Sequence, residues 1–191
     1  MHRLSGGLVL GFHGCSKATA DHVLAGKPFL KSQNDYDWLG EGVYFWESNP
    51  QRGLEFAREK MKREKRKGNV HIVGAVIDLG LCLDLTTSAG IQQTRSAFVF
   101  LRRAFDAAQA IMPENGKQLK KLDCAVINYL HQLRDQQNVE SIQTVRGVFV
   151  EGDPAYEGAG FAEKTHIQLA VRDLRCIKGV FRVPPHVMSD S

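Results

Sequence analysis

No apolar run in this chain approaches the ~18 residues that a membrane-spanning helix requires, so no membrane partner is expected. Cysteine is scarce: Cys15, Cys82, Cys124 and Cys176 stand singly, with no Cys-x-x-Cys pair and no Cys/His spacing suited to zinc. A metal centre therefore has no support, and dispersed thiols suit a reducing, cytoplasmic setting better than a disulfide framework. Internal repeats and low-complexity linkers are also missing, which removes solenoids and bead-like arrays from consideration. The opening residues offer only a short, glycine-broken apolar stretch and make a poor signal peptide. What remains is one domain over residues 1–191, long enough to bury a substantial core, with 43% hydrophobic and 24% charged residues as in ordinary globular chains.

The net charge of +4 is concentrated in one place. Residues 52–67 hold eight Lys/Arg against three Glu, so this stretch carries +5 and the rest of the chain −1. Arg58 and Lys62 in it are candidates for contact with a nucleic-acid phosphate backbone. A solvated helix face, with i,i+4 pairs such as Glu59–Arg63, is the plainer alternative.

Periodicity outlines an α+β chain. Residues 7–12 (GLVLGF) read as a buried strand ending at His13, and 16–25 as a helix with Ser16 as N-cap and Gly26 as its stop. Residues 26–41 are loop-like and 43–46 a strand. Pro50 suits a first helical turn, and that helix is expected to run to about Lys67 and close at Gly68 and Asn69. Residues 70–79 form a central strand. Apolar residues three and four apart predict two amphipathic helices, over 91–111 and 118–136. Strands follow at 145–150, 165–171 and 176–183, with a Gly/Pro-marked loop at 151–162.

Two short motifs carry the chemistry. Phe12-His13-Gly14 ends the first strand, and Gly40-Glu41-Gly42-Val43-Tyr44-Phe45 follows about thirty residues later. With the late strand at 165–171, they resemble the three signature elements of poly(ADP-ribose) polymerase-like ADP-ribosyltransferases, the diphtheria-toxin-type branch with a His-Tyr-Glu triad. The resemblance covers about residues 7–60 and 145–183. It implies a single transferase domain with split antiparallel β-sheets around an NAD cleft, flanking helices and a helical insertion at about 91–136. NAD is then the co-substrate, and no metal takes part.

The resemblance also implies roles. His13 bonds the adenosine-side ribose, and Gly14 holds the nicotinamide amide through its backbone. Tyr44 stacks on nicotinamide, with Gly40 and Gly42 leaving room for close approach, and Phe56 is the candidate for the other side of the ring. Gln168 stands where the family carries Glu. Its amide can bond a ribose hydroxyl but adds no negative charge, which disfavours chain elongation and suits single transfer. His166 shares the strand face of Gln168 and is the candidate base or orienter for the acceptor. Tyr156 and Phe161 lie in the acceptor-side loop, where Glu151, Asp153, Glu157 and Glu163 could supply the missing carboxylate. Asp35, Tyr36, Asp37 and Trp38 correspond to the donor loop.

The expected activity is mono-ADP-ribosyl transfer from NAD to a macromolecule, with RNA or DNA favoured over protein by the basic helix. An NAD glycohydrolase, a protein-directed transferase and a non-catalytic NAD- or ADP-ribose-binding module stand as alternatives. By analogy with small stand-alone bacterial toxin or antiviral defence transferases, a cognate antitoxin is an expected partner.

Overall fold

β-rich runs punctuated by glycine and proline produce seven strands among the described residues. A computed structural model of the chain describes residues 7–116, 119–184 and 187. Outside these lie the first six residues, part of the stretch read as a poor leader, and residue 118, where the second amphipathic helix was expected to begin. The elements are β1 (Leu8–Ser16), α1 (Lys17–Leu24), β2 (Val43–Glu47), α2 (Pro50–Arg63), β3 (Val70–Asp78), β4 (Cys82–Asp84), α3 (Ser88–Ala107), α4 (Lys121–Gln136), β5 (Thr144–Phe149), β6 (His166–Val171) and β7 (Ile177–Arg182).

The α+β class holds, but the expected pair of split antiparallel sheets is corrected. All seven strands belong to one hydrogen-bonded sheet in the order β4-β5-β6-β2-β1-β3-β7. The sheet is mixed, because β4 runs parallel to β5. Parallel neighbours need a long crossover, and α3 with α4 provides it. The helical insertion is thus structural to the sheet rather than an appendage. β4 spans three residues, too few for its alternation to register in the sequence.

A split survives as a local seam. β1 pairs with β3 over nine residues, from Leu8 opposite Asp78 to Ser16 opposite Val70. On its other side it meets β2 at only two pairs, Gly11 with Glu47 and Phe12 with Trp46. From His13 onward, β1 has no ladder partner toward β2 among the described residues.

Each face of the sheet is covered. On one, Phe45, Val73, Ala75, Ile77, Leu169 and Val171 pack with Phe29 and with Ala20 and Val23 of α1. On the other, Leu83, Val145 and Ala170 pack with Ala97 and Leu101 of α3, Val126, Ile127 and Leu130 of α4, and Leu39.

Helix ends follow local chemistry. Ser16 Oγ accepts from the Thr19 amide at 3.2 Å and caps α1. Asn49 Oδ1 accepts from the Arg52 amide at 2.9 Å and caps α2, with Pro50 at the first turn. α2 ends at Arg63, short of the expected Lys67: Lys65 takes a left-handed φ of 52°, and Arg66 N–H turns back to the Met61 carbonyl at 3.0 Å.

Candidate functional site

Residues opposed across an antiparallel ladder share a face. The register sets Trp46 opposite Gln168, Tyr44 opposite Ala170, and Phe149 opposite His166. Tyr44, Trp46, Gln168, His166 and Phe149 therefore line one face, between α2 and α4. His13 follows Phe12, the partner of Trp46, and so falls on the opposite face. There its ring meets Phe29 at 5.3 Å and Phe45 at 5.7 Å between centroids.

His13 and Tyr44 are nonetheless joined. Nδ1 of His13 donates to the Tyr44 carbonyl at 2.8 Å, across the seam where the β1–β2 ladder has stopped. A carbonyl only accepts, so the ring proton sits on Nδ1 and Nε2 carries the lone pair. Burial pushes the His13 pKa down, the Tyr44 bond opposes this, and Lys60 adds to the lowering. Burial thus favours the neutral ring.

The Tyr44 hydroxyl is not free. It donates to the Gly40 carbonyl at 2.8 Å and accepts from the Leu39 amide at 3.0 Å. Burial, with Asp37 nearby, raises its pKa well above the ordinary tyrosine value. Any ligand role of Tyr44 therefore belongs to its ring.

The glycines have packing reasons. A Cβ on Gly14 would lie 2.0 Å from the Gly53 carbonyl oxygen, so α2 seats on β1 only through a glycine. Gly40 has φ +77°, and a Cβ there would meet Asn128 Oδ1 at 2.6 Å. A Cβ on Gly42 would meet the Val171 backbone at 3.1 Å. These positions make room for α2, α4 and β6, where the motif predicts room for a ligand.

Gln168 is 7% exposed, and its Oε1 accepts from Trp38 Nε1 at 2.5 Å. An indole N–H can only donate, which fixes the orientation of the amide. Trp38 in turn packs at a tilt against Phe149, centroids 5.0 Å apart. His166 is 5% exposed, and its Nδ1 donates to the Lys164 carbonyl at 2.6 Å. Burial lowers its pKa, and Arg52 adds to this against the Lys164 bond and Glu151.

Arg52 went unrecognised in the sequence because it was counted into the basic stripe. It is 4% exposed and turned inward. Its Nη2 donates to Glu151 at 2.7 Å and to Glu59 at 3.4 Å, with Glu55 3.8 Å from Nη1. Lys164 also bonds Glu59, at 2.9 Å, so Glu59 pairs with Arg52 on its own helix and with Lys164 across the fold. Among the loop carboxylates, Glu151 is the one drawn into this network. Arg52 is the third residue of α2, three after the N-cap Asn49, and with Gly53, Leu54 and Ala57 it forms the helix's buried face.

The remaining candidates lie apart. Phe56 packs at a tilt against Trp46, with centroids 4.8 Å apart, so its ring is engaged there and not paired with Tyr44. Tyr156 and Phe161 are 62% and 68% exposed on the 151–162 loop, and Arg58 and Lys62 are exposed on α2. Asp35 bonds Lys121 of α4 at 2.6 Å, and Asp37 accepts from the Asn34 amide at 3.1 Å as ordinary turn chemistry. Among the described residues no group of three or more His, Cys, Asp or Glu could hold a metal, and no helix is long and apolar enough to cross a membrane. The cysteines are free, and burial raises the thiol pKa of each to about 11.

Set beside known proteins, the chain matches no family model and no solved structure. It is 42% identical over 36 residues to an uncharacterized protein, MJ0359, of Methanocaldococcus jannaschii. That stretch is 19% of this chain and 17% of the archaeal protein, so the chain spans about a sixth of the relative it matches and the likeness is to a segment of it.

Proposed function

We propose that the chain is a mono-ADP-ribosyltransferase that cleaves NAD at the nicotinamide–ribose bond and passes ADP-ribose to a macromolecular acceptor. One observation carries the reading. Tyr44, Gln168 and His166 stand in order along one face of β2 and β6, at steps of two residues, or roughly 7 Å. Those are suitable stations for a nicotinamide ring, the ribose that carries it, and an incoming acceptor. The seam beside Tyr44, closed by a His13 side chain in place of a ladder, leaves strand backbone available to a ligand amide.

In this reading the Tyr44 ring supports nicotinamide, and Gln168 bonds a ribose hydroxyl through its amide. With Oε1 held by Trp38, the Nε2 donors are the part best free to do so. Gln168 itself adds no negative charge to the oxocarbenium-like centre, which favours slow, single transfer over elongation. α2 closes the site with its inner side and turns Arg58 and Lys62 outward, and this arrangement favours RNA or DNA as acceptor. A cognate antitoxin belongs to the proposal by analogy with small toxins alone.

The bond that holds Gln168 to Trp38 also suits a second reading, a module that binds NAD or ADP-ribose without turnover. Incubation of the purified protein with adenylate-labelled NAD and cell lysate, followed by nuclease or protease digestion, separates the two. Label in the nucleic-acid fraction is expected. Label in protein redirects the acceptor, free ADP-ribose alone indicates a glycohydrolase, and no turnover leaves the binding module.

A further inference from the structure

On the same face, three buried side chains carry polar atoms that make no hydrogen bond. Trp46, Arg52 and His166 are 2%, 4% and 5% exposed. Trp46 Nε1, Arg52 Nε and Nη1, and His166 Nε2 have no hydrogen-bond partner. The Trp46 and His166 rings lie 6.1 Å apart, and Arg52 shares Glu59 with Lys164, whose carbonyl holds the His166 ring. An unmade hydrogen bond in a buried place costs about 1–3 kcal/mol, so a cluster of them points to an occupant.

The chemistry of the cluster selects that occupant. Trp46 and Arg52 offer N–H donors only. His166 spends its proton on the Lys164 carbonyl and so offers a lone pair at Nε2. The guest must accept from the first two and donate to the third, which describes a hydroxyl oxygen. An ammonium or guanidinium has no lone pair for Arg52. A phosphate or carboxylate would meet Glu55, Glu59 and Glu151, which surround the same guanidinium.

We infer that Trp46, Arg52 and His166 form a hydroxyl-binding site, and that this oxygen, from an acceptor alcohol or from water, is the nucleophile of the transfer. The inference rests on the transferase reading above for its chemical step, though not for the site itself. In that step the oxygen bonds to ribose C1′, the C1′–nitrogen bond breaks, and its electron pair leaves with nicotinamide. The hydroxyl proton moves to His166 Nε2. Arg52 is a positioning residue here, held by Glu151 at 2.7 Å.

Two measurements test this on the full chain. A crystal structure without NAD is expected to hold one oxygen about 3 Å from both His166 Nε2 and an Arg52 N–H. An empty cavity, or a sulfate or phosphate seated there, would overturn the site. Nicotinamide release in water–methanol mixtures, with agmatine as the competing probe, is expected to yield O-methyl ADP-ribose and no agmatine adduct. An agmatine adduct would overturn the hydroxyl class.

An oxygen at the site with no turnover of NAD would support the site and remove the transferase reading instead. His166→Gln is expected to lower methanol and water attack by about 100-fold. Should that variant fail to fold, Arg52→Lys is expected to lower the methanol-to-water product ratio, and an unmoved ratio counts against the site.

Discussion

His13 Nδ1 reaches the Tyr44 carbonyl at 2.8 Å and closes a seam that the β1–β2 ladder leaves open after Phe12. A side chain on one face of the sheet thus holds the backbone that presents a ring on the other. Removing it with His13→Ala is expected to cost about 1 kcal/mol for the bond, plus lost packing on Phe29 and Phe45, and to abolish nicotinamide release. His13→Phe restores the packing alone. If both variants melt alike but His13→Phe still releases nicotinamide at the native rate, the seam bond has no part in function.

Tyr44 separates ring from hydroxyl. Tyr44→Phe leaves the Leu39 amide and Gly40 carbonyl unpaired, and denaturant unfolding is expected to show a loss of about 1–2 kcal/mol. Nicotinamide release, where it depends on the ring, persists in Tyr44→Phe and disappears in Tyr44→Ala. Equal loss in both would assign the role to the hydroxyl and sink the stacking argument.

Gly14→Ala is expected to be severe, because its Cβ would sit 2.0 Å from the Gly53 carbonyl oxygen on rigid backbone. Lifting α2 from β1 should cost about 3 kcal/mol, read as a shift in the unfolding midpoint. A variant as stable as the native chain would mean that Gly14 serves a ligand and not the helix.

Gln168→Glu tests the missing charge. The carboxylate can still accept from Trp38 Nε1 in place of the amide oxygen. Added negative charge beside the developing oxocarbenium is expected to raise nicotinamide release by about 100-fold. A fall would argue that the amide donors are what the site uses.

His131 is 3% exposed on α4 with neither ring nitrogen partnered, and burial, with Arg172 and Arg134, pushes its pKa down to about 3. The folded chain therefore binds fewer protons than the unfolded one between pH of about 3 and 6.5. Stability from this residue is complete above about pH 6.5 and falls as acid is added, by up to about 1.4 kcal/mol per pH unit. His131→Leu is expected to flatten this acid limb in urea unfolding from pH 7.5 to 5, and to raise stability at neutral pH by about 1 kcal/mol. A limb unchanged by the substitution would place the acid sensitivity elsewhere, with His13 and His166 next, since burial lowers both.

Most elements were legible locally. Ser16, Pro50 and Gly26 mark helix ends through side chain, fixed φ or backbone freedom, and α1, α2, α3 and α4 lie close to where capping and periodicity put them. β4 was not legible, because three residues carry no period and its partner β5 is some sixty residues away. The end of α2 was misplaced for a similar reason: the reversal at Lys65 needs no glycine, so composition gave no warning.

The site divides along the same line. The motif resemblance singled out His13, Tyr44 and Gln168, and strand alternation added His166 on the face of Gln168. Register between strands is a long-range property, and it decided that His13 belongs to the opposite face and reaches Tyr44 through the seam. Packing decided that Phe56 goes to Trp46, that Gly14 serves α2, and that Arg52 leaves the basic stripe to meet Glu151 across 99 positions of sequence. The sequence by itself determined which residue types the strands and helices present. Only the tertiary structure decided which of them meet, because a partner 99 residues away leaves no period, spacing or composition to read.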